Sequence, residues 1–362
     1  MFVISRNTAF TYRNKTVDTK QIGRDLGVRY VMEGSVRRSG NQVRVNAQLI
    51  DAETDAHLWA ERFDGDTGDP FALQNEVTSR IAVALNLELL SAEAARPAER
   101  PDVLDYILRG RAAWNKPSSR GRNAEVISSY ERALALDPRS AEAQSSLAVI
   151  LASRVLDNLT DTAAADIERA EGLAAQALAT SPRSPLAHFA RGQVLRAQRR
   201  YAEAIPEYER VLASDRNSVR ALFILGQCKL YTGLIDETIP LVERAMRLSP
   251  HDPGLGVWCQ QIGQVHLLQS RTEEAVSWLE RARNATPAHP GIRALLAAAY
   301  ALKGETEHAA AELAEARRLS GDNRFSSLAR LKAVGNWGVP KIRALFEATY
   351  FTGLHKAGIP EE

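Results

Sequence analysis

The chain has 362 residues, of which 45% are hydrophobic and 25% charged, with 46 basic and 44 acidic side chains. A net charge of +2 excludes a strong overall attraction to nucleic acid, and two cysteines are too few for a disulfide framework. The longest strongly apolar run, residues 294–302, is far shorter than the ~20 residues that span a bilayer. The N-terminus lacks the basic and long apolar segments of a secretory signal. These features predict a cytoplasmic protein without a membrane segment.

The first 91 residues have the pattern of a small α+β domain. A short strand is predicted at residues 2–5, and Asp18 is a suitable N-cap for a helix that ends near Gly27. Period-2 alternation and a turn at residues 39–41 then predict three more strands, over residues 28–37, 43–49 and 57–63.

A second helix is predicted after this sheet. Asp69 is a suitable N-cap, Pro70 occupies the first helical position, and apolar residues at spacing four form one face as far as Leu90. Residues 92–101 combine alanine, charged residues and two prolines, a composition typical of a linker. We therefore expect a domain over residues 1–91 and a linker over residues 92–101.

The second half of the chain repeats itself. A small residue recurs in steps of 34, 37 and 34 at Gly192, Gly226, Gly263 and Ala297. A second small or short residue follows each of these twelve positions later, at Ala204, Thr238, Ala275 and Ala309. A period near 34 with small residues where two helices approach is the signature of the tetratricopeptide (TPR) repeat. The predicted fold is therefore mainly α: a TPR solenoid of about six helical hairpins over residues 102–321, preceded by the α+β domain.

The repeat pattern ends at Gly321. Two further helices are predicted over residues 325–334 and 340–351. Because the last hairpin of a solenoid cannot bury its apolar face alone, we expect residues 322–362 to form C-terminal capping helices.

Both ends of the sequence resemble a known family. Residues 2–64, FVISRNTAFTYRNKTVDTKQIGRDLGVRYVMEGSVRRSGNQVRVNAQLIDAETDAHLWAERFD, closely resemble the TolB-amino-terminal-like module that bacterial class III adenylate cyclases carry between a cyclase domain and TPR repeats. The tail ATYFTGLHKAGIPEE is similar to the C-terminal end of the same proteins. In that family the cyclase domain and the first strand and helix of the TolB-like module precede the point where this chain starts. The resemblance thus implies a regulatory half without its catalytic half, and it has one local departure: Asp55 occupies a turn position where the family often has glycine.

No motif for catalysis is found. The seven histidines are scattered, and the sequence contains no His-Glu-x-x-His, Cys-x-x-Cys, Walker phosphate loop or Gly-x-Ser-x-Gly elbow. We therefore expect no catalytic site, metal or cofactor, and no enzymatic activity. Arg37, Arg38 and Arg44 flank one hairpin, but acidic residues outnumber basic ones in residues 1–95, which argues against a nucleic-acid partner.

The predicted site is the groove lined by the first helices of the repeats. In TPR proteins, peptides usually contact fixed positions of these helices, and the repeat register transfers those positions to this chain. The candidate groove residues are Gln193, Arg196, Arg220, Phe223, Gln227, Tyr231, Gln260 and Gln264. The amide and guanidinium groups would bind a peptide backbone or its carboxylates, and Phe223 and Tyr231 would supply apolar anchors. The last repeat offers only small residues, so the groove is predicted to lose its binding groups there.

The sequence thus favours a non-catalytic regulatory module of cyclic AMP signalling. Its expected partners are a protein or peptide in the groove and a cyclase domain in the same or another chain. Two alternatives stay open: the effector part of a transcriptional regulator, because such segments also follow winged-helix domains, and a cyclase truncated at Met1. The coding sequence upstream of Met1 would discriminate among them.

Overall fold

The computed structural model describes residues 4, 8–9, 11–12, 18–66, 77–78, 80–81, 85, 87–92, 102–116, 118–250, 252–335 and 337–362. The chain divides into two compact units, Met1–Pro101 and Asp102–Glu362. The strand predicted at residues 2–5, the helix predicted to begin at Pro70 and the linker predicted at residues 92–101 fall largely outside the described residues.

The first unit contains the predicted helix, α1 (Thr19–Leu26). The Asp18 carboxylate accepts a hydrogen bond from the backbone N–H of Lys20 at 3.1 Å, which satisfies one of the free amides at the helix start. Gly27 ends the helix with φ 63°, a left-handed conformation that glycine adopts without steric cost. Both ends of α1 are therefore determined by the residues that the sequence predicted.

A three-stranded antiparallel sheet follows, with the order β1 (Tyr30–Ser39), β2 (Gln42–Asp51) and β3 (Ala56–Asp66). β1 is shifted by two residues from its predicted range, whereas β2 and β3 extend beyond their predicted bounds. β1 and β2 remain paired up to Ser39 and Gln42, on either side of a two-residue turn. Along β2 the apolar residues point to one face, as predicted, and Leu49 is buried with Phe63 of β3.

The turn between β2 and β3 explains the departure at Asp55. This residue has φ 64°, in the left-handed region that glycine favours, and its backbone N–H donates to the carbonyl oxygen of Asp51 at 2.8 Å. Aspartate tolerates this region better than most side chains, so the turn forms without glycine.

In its described residues, the second unit begins with twelve α-helices that form six antiparallel hairpins. In chain order they are α2 (Val103–Trp114), α3 (Arg120–Leu136), α4 (Ala141–Leu156), α5 (Ala163–Thr180), α6 (Pro185–Ala197), α7 (Tyr201–Ser214), α8 (Val219–Tyr231), α9 (Thr238–Leu248), α10 (Leu255–Leu268), α11 (Thr272–Ala285), α12 (Pro290–Lys303) and α13 (Thr306–Ser320). The predicted helical stack is confirmed.

Small residues let the helices of each hairpin approach closely. A Cβ atom added to Gly192 on α6 would lie 2.7 Å from the ring of Tyr208 on α7. The same addition to Gly263 on α10 would place it 2.7 Å from Cγ of Leu279 on α11. Such distances are far inside van der Waals contact, so only glycine permits these crossings.

The C-terminal residues fold back along the first helices of the last hairpins. They form α14 (Leu328–Val334), α15 (Pro340–Phe346), a π-helical turn (Glu347–Phe351) and α16 (Thr352–Lys356). The π-helical turn packs against α10 and α12, and α16 packs against α12. Phe346, Phe351 and Leu354 are buried in one continuous core with the last three hairpins. We call residues 337–359 the C-terminal segment.

Within the described part of the chain, every helix is too short or too polar to cross a lipid bilayer.

Candidate ligand-binding surface on the first helices

The surface formed by the first helices of the six hairpins, α2, α4, α6, α8, α10 and α12, is called the inner face here. Three of the eight predicted groove residues form one hydrogen-bond network on it. The guanidinium of Arg196 donates to the side-chain oxygens of Gln193, on the same helix, and of Gln227, on α8. The hydroxyl of Tyr208 donates to Gln193 at 3.1 Å. The network therefore holds Arg196 in place through neutral amide groups.

Arg220 lies between two aromatic rings. Its guanidinium carbon is 5.1 Å from the ring centre of Trp114 and 4.8 Å from that of Phe189, which are cation–π distances. The residue is solvent-exposed, yet desolvation of its guanidinium lowers its pKa, and the positive charge of Arg196 adds to this lowering. An arginine keeps its charge at neutral pH all the same.

Aromatic side chains continue along this part of the inner face. Phe223 is half-buried and lies 6.2 Å, between ring centres, from Trp258. Phe189 meets Tyr208 edge-to-face at 5.6 Å. Phe189, Tyr208 and Trp258 are buried, so Phe223 is the member of this aromatic group that stays partly exposed beside the arginines. We call the part of the inner face formed by α2, α4, α6 and α8 as far as Gln227 the arginine section.

Tyr231 and Gln264 are hydrogen-bonded to each other, and Tyr231 contacts the C-terminal segment while the charge of Arg196 still acts on it. The backbone N–H of Val339 donates to the carbonyl oxygen of Tyr231 at 3.0 Å. Burial raises the pKa of Tyr231 to about 12, and its hydroxyl is hydrogen-bonded to Gln264. Gln260 is half-buried and lies beside Gly291 of the next hairpin. We call Tyr231 and the inner face of α10 and α12 the covered section.

The structure explains why the first helix of the last hairpin, α12, carries small residues. Ala294 and Ala298 are fully buried on α12. A Cβ atom added to Gly353 of α16 would lie 2.5 Å from the carbonyl oxygen of Ala298. The absence of binding groups at these positions allows the C-terminal segment to approach the backbone of α12.

Two residues of the arginine section were missed by the sequence analysis. Phe189 stands three positions before Gly192, as Phe223 stands three positions before Gly226, so the repeat register was sufficient to find it. Trp114 belongs to the first hairpin, whose repeat pattern is looser. No local signal indicates that its ring would meet an arginine three hairpins further along the stack.

Nucleophilic and metal-binding groups do not add to this surface. Cys228 and Cys259 are free and buried, and burial raises the pKa of the Cys228 thiol to about 11. Among the described residues, no cluster of three or more His, Cys, Asp or Glu side chains is arranged to hold a metal ion.

Comparison with known proteins identifies the repeats. The family "Tetratricopeptide repeat" matches residues 161–218 and 189–253, which lie within the second unit. The crystal structure of the APC/C hetero-tetramer Cut9–Hcn1 is similar in fold, with a TM-score of 0.55 at 13% identity over 71% of this chain and 48% of that chain. The pilF protein of Pseudomonas aeruginosa is 18% identical, with a TM-score of 0.47 over 64% of this chain and 96% of its own.

A curated relative matches part of the sequence. The "Putative adenylate cyclase 3" of Rhizobium meliloti (strain 1021) is 39% identical over 211 residues, which are 56% of this chain and 35% of that protein. The chain thus spans about a third of the length of the relative. The second unit is a stack of helical hairpins that contains tetratricopeptide repeats, a repeat class that presents extended binding surfaces.

Proposed function

We propose that this chain is a non-catalytic interaction module that binds a protein or peptide on the arginine section and thereby regulates an adenylate cyclase domain. That domain belongs either to the same polypeptide or to a separate one. In this proposal residues 1–91 are a TolB-amino-terminal-like module, residues 102–321 are the solenoid, and residues 322–362 cover its last hairpins. The absence of catalytic motifs in the sequence supports the non-catalytic part.

The observation that carries the binding proposal is the position of Arg220. Arg220 is an exposed residue whose guanidinium contacts the rings of Trp114 and Phe189, so this group is already oriented and partly desolvated before a ligand arrives. Arginine and aromatic side chains dominate the binding energy of protein interfaces, and preorganised groups lose less entropy on binding. The neighbouring Phe223 offers apolar contact area beside this charge.

The covered section contributes differently in this proposal. The C-terminal segment occupies the inner face of α10 and α12 and shares a core with them. We therefore assign ligand contacts to Gln193, Arg196, Arg220, Phe223 and Gln227. Tyr231 and Gln264 are assigned to the contact with the C-terminal segment, and Gln260, which also lies in the covered section, is assigned to neither contact.

The link to cyclic AMP is supported by the curated relative. The match extends over 211 residues but covers only 35% of the relative's length. We therefore assign to this chain a role in regulating a cyclase and not the cyclase activity itself. A module that accompanies a catalytic domain can report ligand binding to that domain by a change in its contacts.

An activity assay with two arms tests this function. The purified chain, incubated with ATP and Mg²⁺ or Mn²⁺, is expected to form no cyclic AMP. Added to the rhizobial relative from which the 211 matching residues have been deleted, it is expected to change the rate of cyclic AMP formation. A variant with Arg220→Ala and Phe223→Ala is the matched control and should lose this effect. Cyclic AMP formed by the chain alone, or equal effects of both forms, would contradict the proposal.

A further inference from the structure

We propose that the ligand of the arginine section is an acidic peptide segment, whose carboxylates bind at Arg196 and Arg220. This inference rests on the function proposed above and names the chemistry of the partner.

The two guanidinium groups have no acidic partner in ion-pair contact within the described part of the chain. Arg196 bonds to the neutral amide oxygens of Gln193 and Gln227, and Arg220 contacts aromatic rings. Their positive charges act on each other, since Arg196 contributes to the lowered pKa of Arg220 after desolvation. Two like charges held at close range without a counter-ion favour binding of an anion, because a carboxylate removes the repulsion.

The other arginines of this region are partnered to different degrees. Arg111 forms an ion pair with Glu142. The guanidinium of Arg122 lies 4.8 Å from the ring centre of Trp114 and donates to Ser118 at 2.7 Å, with Asp157 close enough to act on its charge. The charge of Arg111 is therefore balanced by an ion pair, whereas Arg122, like Arg196, is acted on by a carboxylate through space.

Two carboxylates act electrostatically on the arginines of the proposed site without forming ion pairs with them among the described residues. Asp157 acts on the charge of Arg196 through space. Desolvation raises the pKa of the Asp157 carboxyl, which accepts a hydrogen bond from the Ser118 hydroxyl at 3.3 Å. Asp252 influences Arg220 through space and forms no ion pair with it among the described residues. Each arginine thus retains hydrogen-bond donors for a ligand.

Arg196 has an additional unsatisfied donor. Its Nε–H is buried and has no hydrogen-bond partner within the described part of the chain. A buried donor without a partner costs free energy, which an accepting ligand oxygen would recover. The free protein therefore leaves Arg196 incompletely hydrogen-bonded, as it does Arg122, whose buried Nε–H also lacks a partner among the described residues.

The surroundings favour a peptide over a nucleic acid. Nucleic-acid affinity comes from many phosphate contacts along a basic surface, whereas here the guanidinium of Arg220 lies against the ring of Phe189, and Phe223 follows Arg220 three positions later on α8. A short segment that carries acidic side chains next to apolar ones matches this combination in both charge and contact area.

Selection from a random-peptide phage library, with the full chain immobilised, tests the inference. We expect the peptides enriched on the wild-type chain to be rich in Asp and Glu. Arg220→Gln should lower the affinity of these peptides by about tenfold, the contribution of one charge-assisted hydrogen bond. Arg220→Lys keeps the charge and should retain most of the acidic preference. Arg318→Gln is the control, because Arg318 is exposed on α13 and paired with Glu315.

The outcomes separate this inference from the function on which it rests. Enriched peptides without an acidic bias, or an acidic bias that survives Arg220→Gln, would overturn the inference and leave peptide binding intact. A failure to enrich any peptide would contradict both. If single-stranded RNA at the same concentration of charges displaced the selected peptides, the site would be assigned to nucleic acid instead.

Discussion

The backbone amide of Val339 donates a hydrogen bond to the carbonyl oxygen of Tyr231, with a distance of 3.0 Å between nitrogen and oxygen. This bond joins the C-terminal segment to the end of α8, the first helix of the fourth hairpin. Beyond this point the segment follows the inner face of α10 and α12. The inner face is thus divided at Tyr231 between a part that the chain covers itself and the arginine section.

A methyl group at Gly353 is expected to weaken the covered section. The added Cβ would lie 2.5 Å from the carbonyl oxygen of Ala298, so α16 must move away from α12. We expect Gly353→Ala to lower the free energy of unfolding by about 1–3 kcal/mol, measured by urea unfolding followed by circular dichroism.

Gly172→Ala is the matched control for this substitution. Gly172 is exposed inside α5, and a Cβ there would meet no atom within 4 Å. Alanine should therefore raise the free energy of unfolding by about 0.5–1 kcal/mol through its helix propensity. Equal effects of the two substitutions would show that α16 does not approach α12 as described.

Glycine should stabilise the turns inside the hairpins. Removing it from one turn and adding it to another should therefore change the stability in opposite directions. Ser270 and Gly304 occupy corresponding turn positions of the fifth and sixth hairpins, with φ 59° and 91°. A Cβ at Gly304 would meet no atom within 4 Å, so the substitution Gly304→Ala tests the backbone conformation alone. We expect it to cost about 1 kcal/mol and Ser270→Gly to gain up to about 1 kcal/mol in thermal unfolding. Destabilisation by both changes would contradict the left-handed conformation at Ser270.

Asp166 should make the stability of the second hairpin depend on pH. Burial alone would raise the pKa of its carboxyl, but hydrogen bonds from Arg154 and Thr160 outweigh burial and lower the pKa below 3.8. A carboxyl whose pKa is depressed on folding contributes stability above its unfolded pKa and loses it as pH falls through the folded pKa. We expect Asp166→Asn to cost about 2 kcal/mol at pH 7 and progressively less in acid, measured by urea unfolding.

Asp161→Asn provides the comparison for Asp166. The Asp161 side chain is 81% exposed and its partner Arg120 is 59% exposed, whereas Asp166 is 6% exposed. An exposed ion pair is screened by solvent and contributes little, so this variant should stay close to the wild type at every pH. If the two variants had the same pH profile, the buried contact of Asp166 would not be the cause.

The two thiols should react slowly in the folded protein. Cys228 is fully buried and its pKa is raised by burial to about 11, so the thiolate that reacts with alkylating agents is scarce at pH 7. Burial also raises the pKa of Cys259. Labelling with iodoacetamide, followed by mass spectrometry, is expected to modify neither thiol without denaturant and both with it. Rapid labelling of Cys228 under native conditions would show that the fourth hairpin opens.

Local residues determine much of this fold, and the sequence therefore predicted it. Asp18 and Gly27 act at the ends of their own helix. Gly192 and Tyr208 act within one hairpin, at a spacing that recurs along the chain. Such signals need only a few neighbouring residues, which is why the helical stack and the three strands after residue 28 could be predicted.

The path of the C-terminal segment depends on contacts between distant residues. Gly353 meets Ala298, and Val339 meets Tyr231, but neither residue of a pair signals the other along the sequence. The prediction of capping helices therefore identified helices near the end of the chain without their position on the inner face. For the same reason the register placed Tyr231 with the groove, while the position of Arg220 between Trp114 and Phe189 became visible only in the structure.

The most direct test of the account compares the two sections of the inner face for one ligand. Fluorescence anisotropy with a selected, labelled peptide should show a loss of affinity of at least about tenfold for the variant with Arg220→Ala and Phe223→Ala. Gln264→Ala, in the covered section, should leave the affinity unchanged. Equal affinity of the double variant and the wild type, or a loss confined to Gln264→Ala, would contradict the assignment of ligand binding to the arginine section.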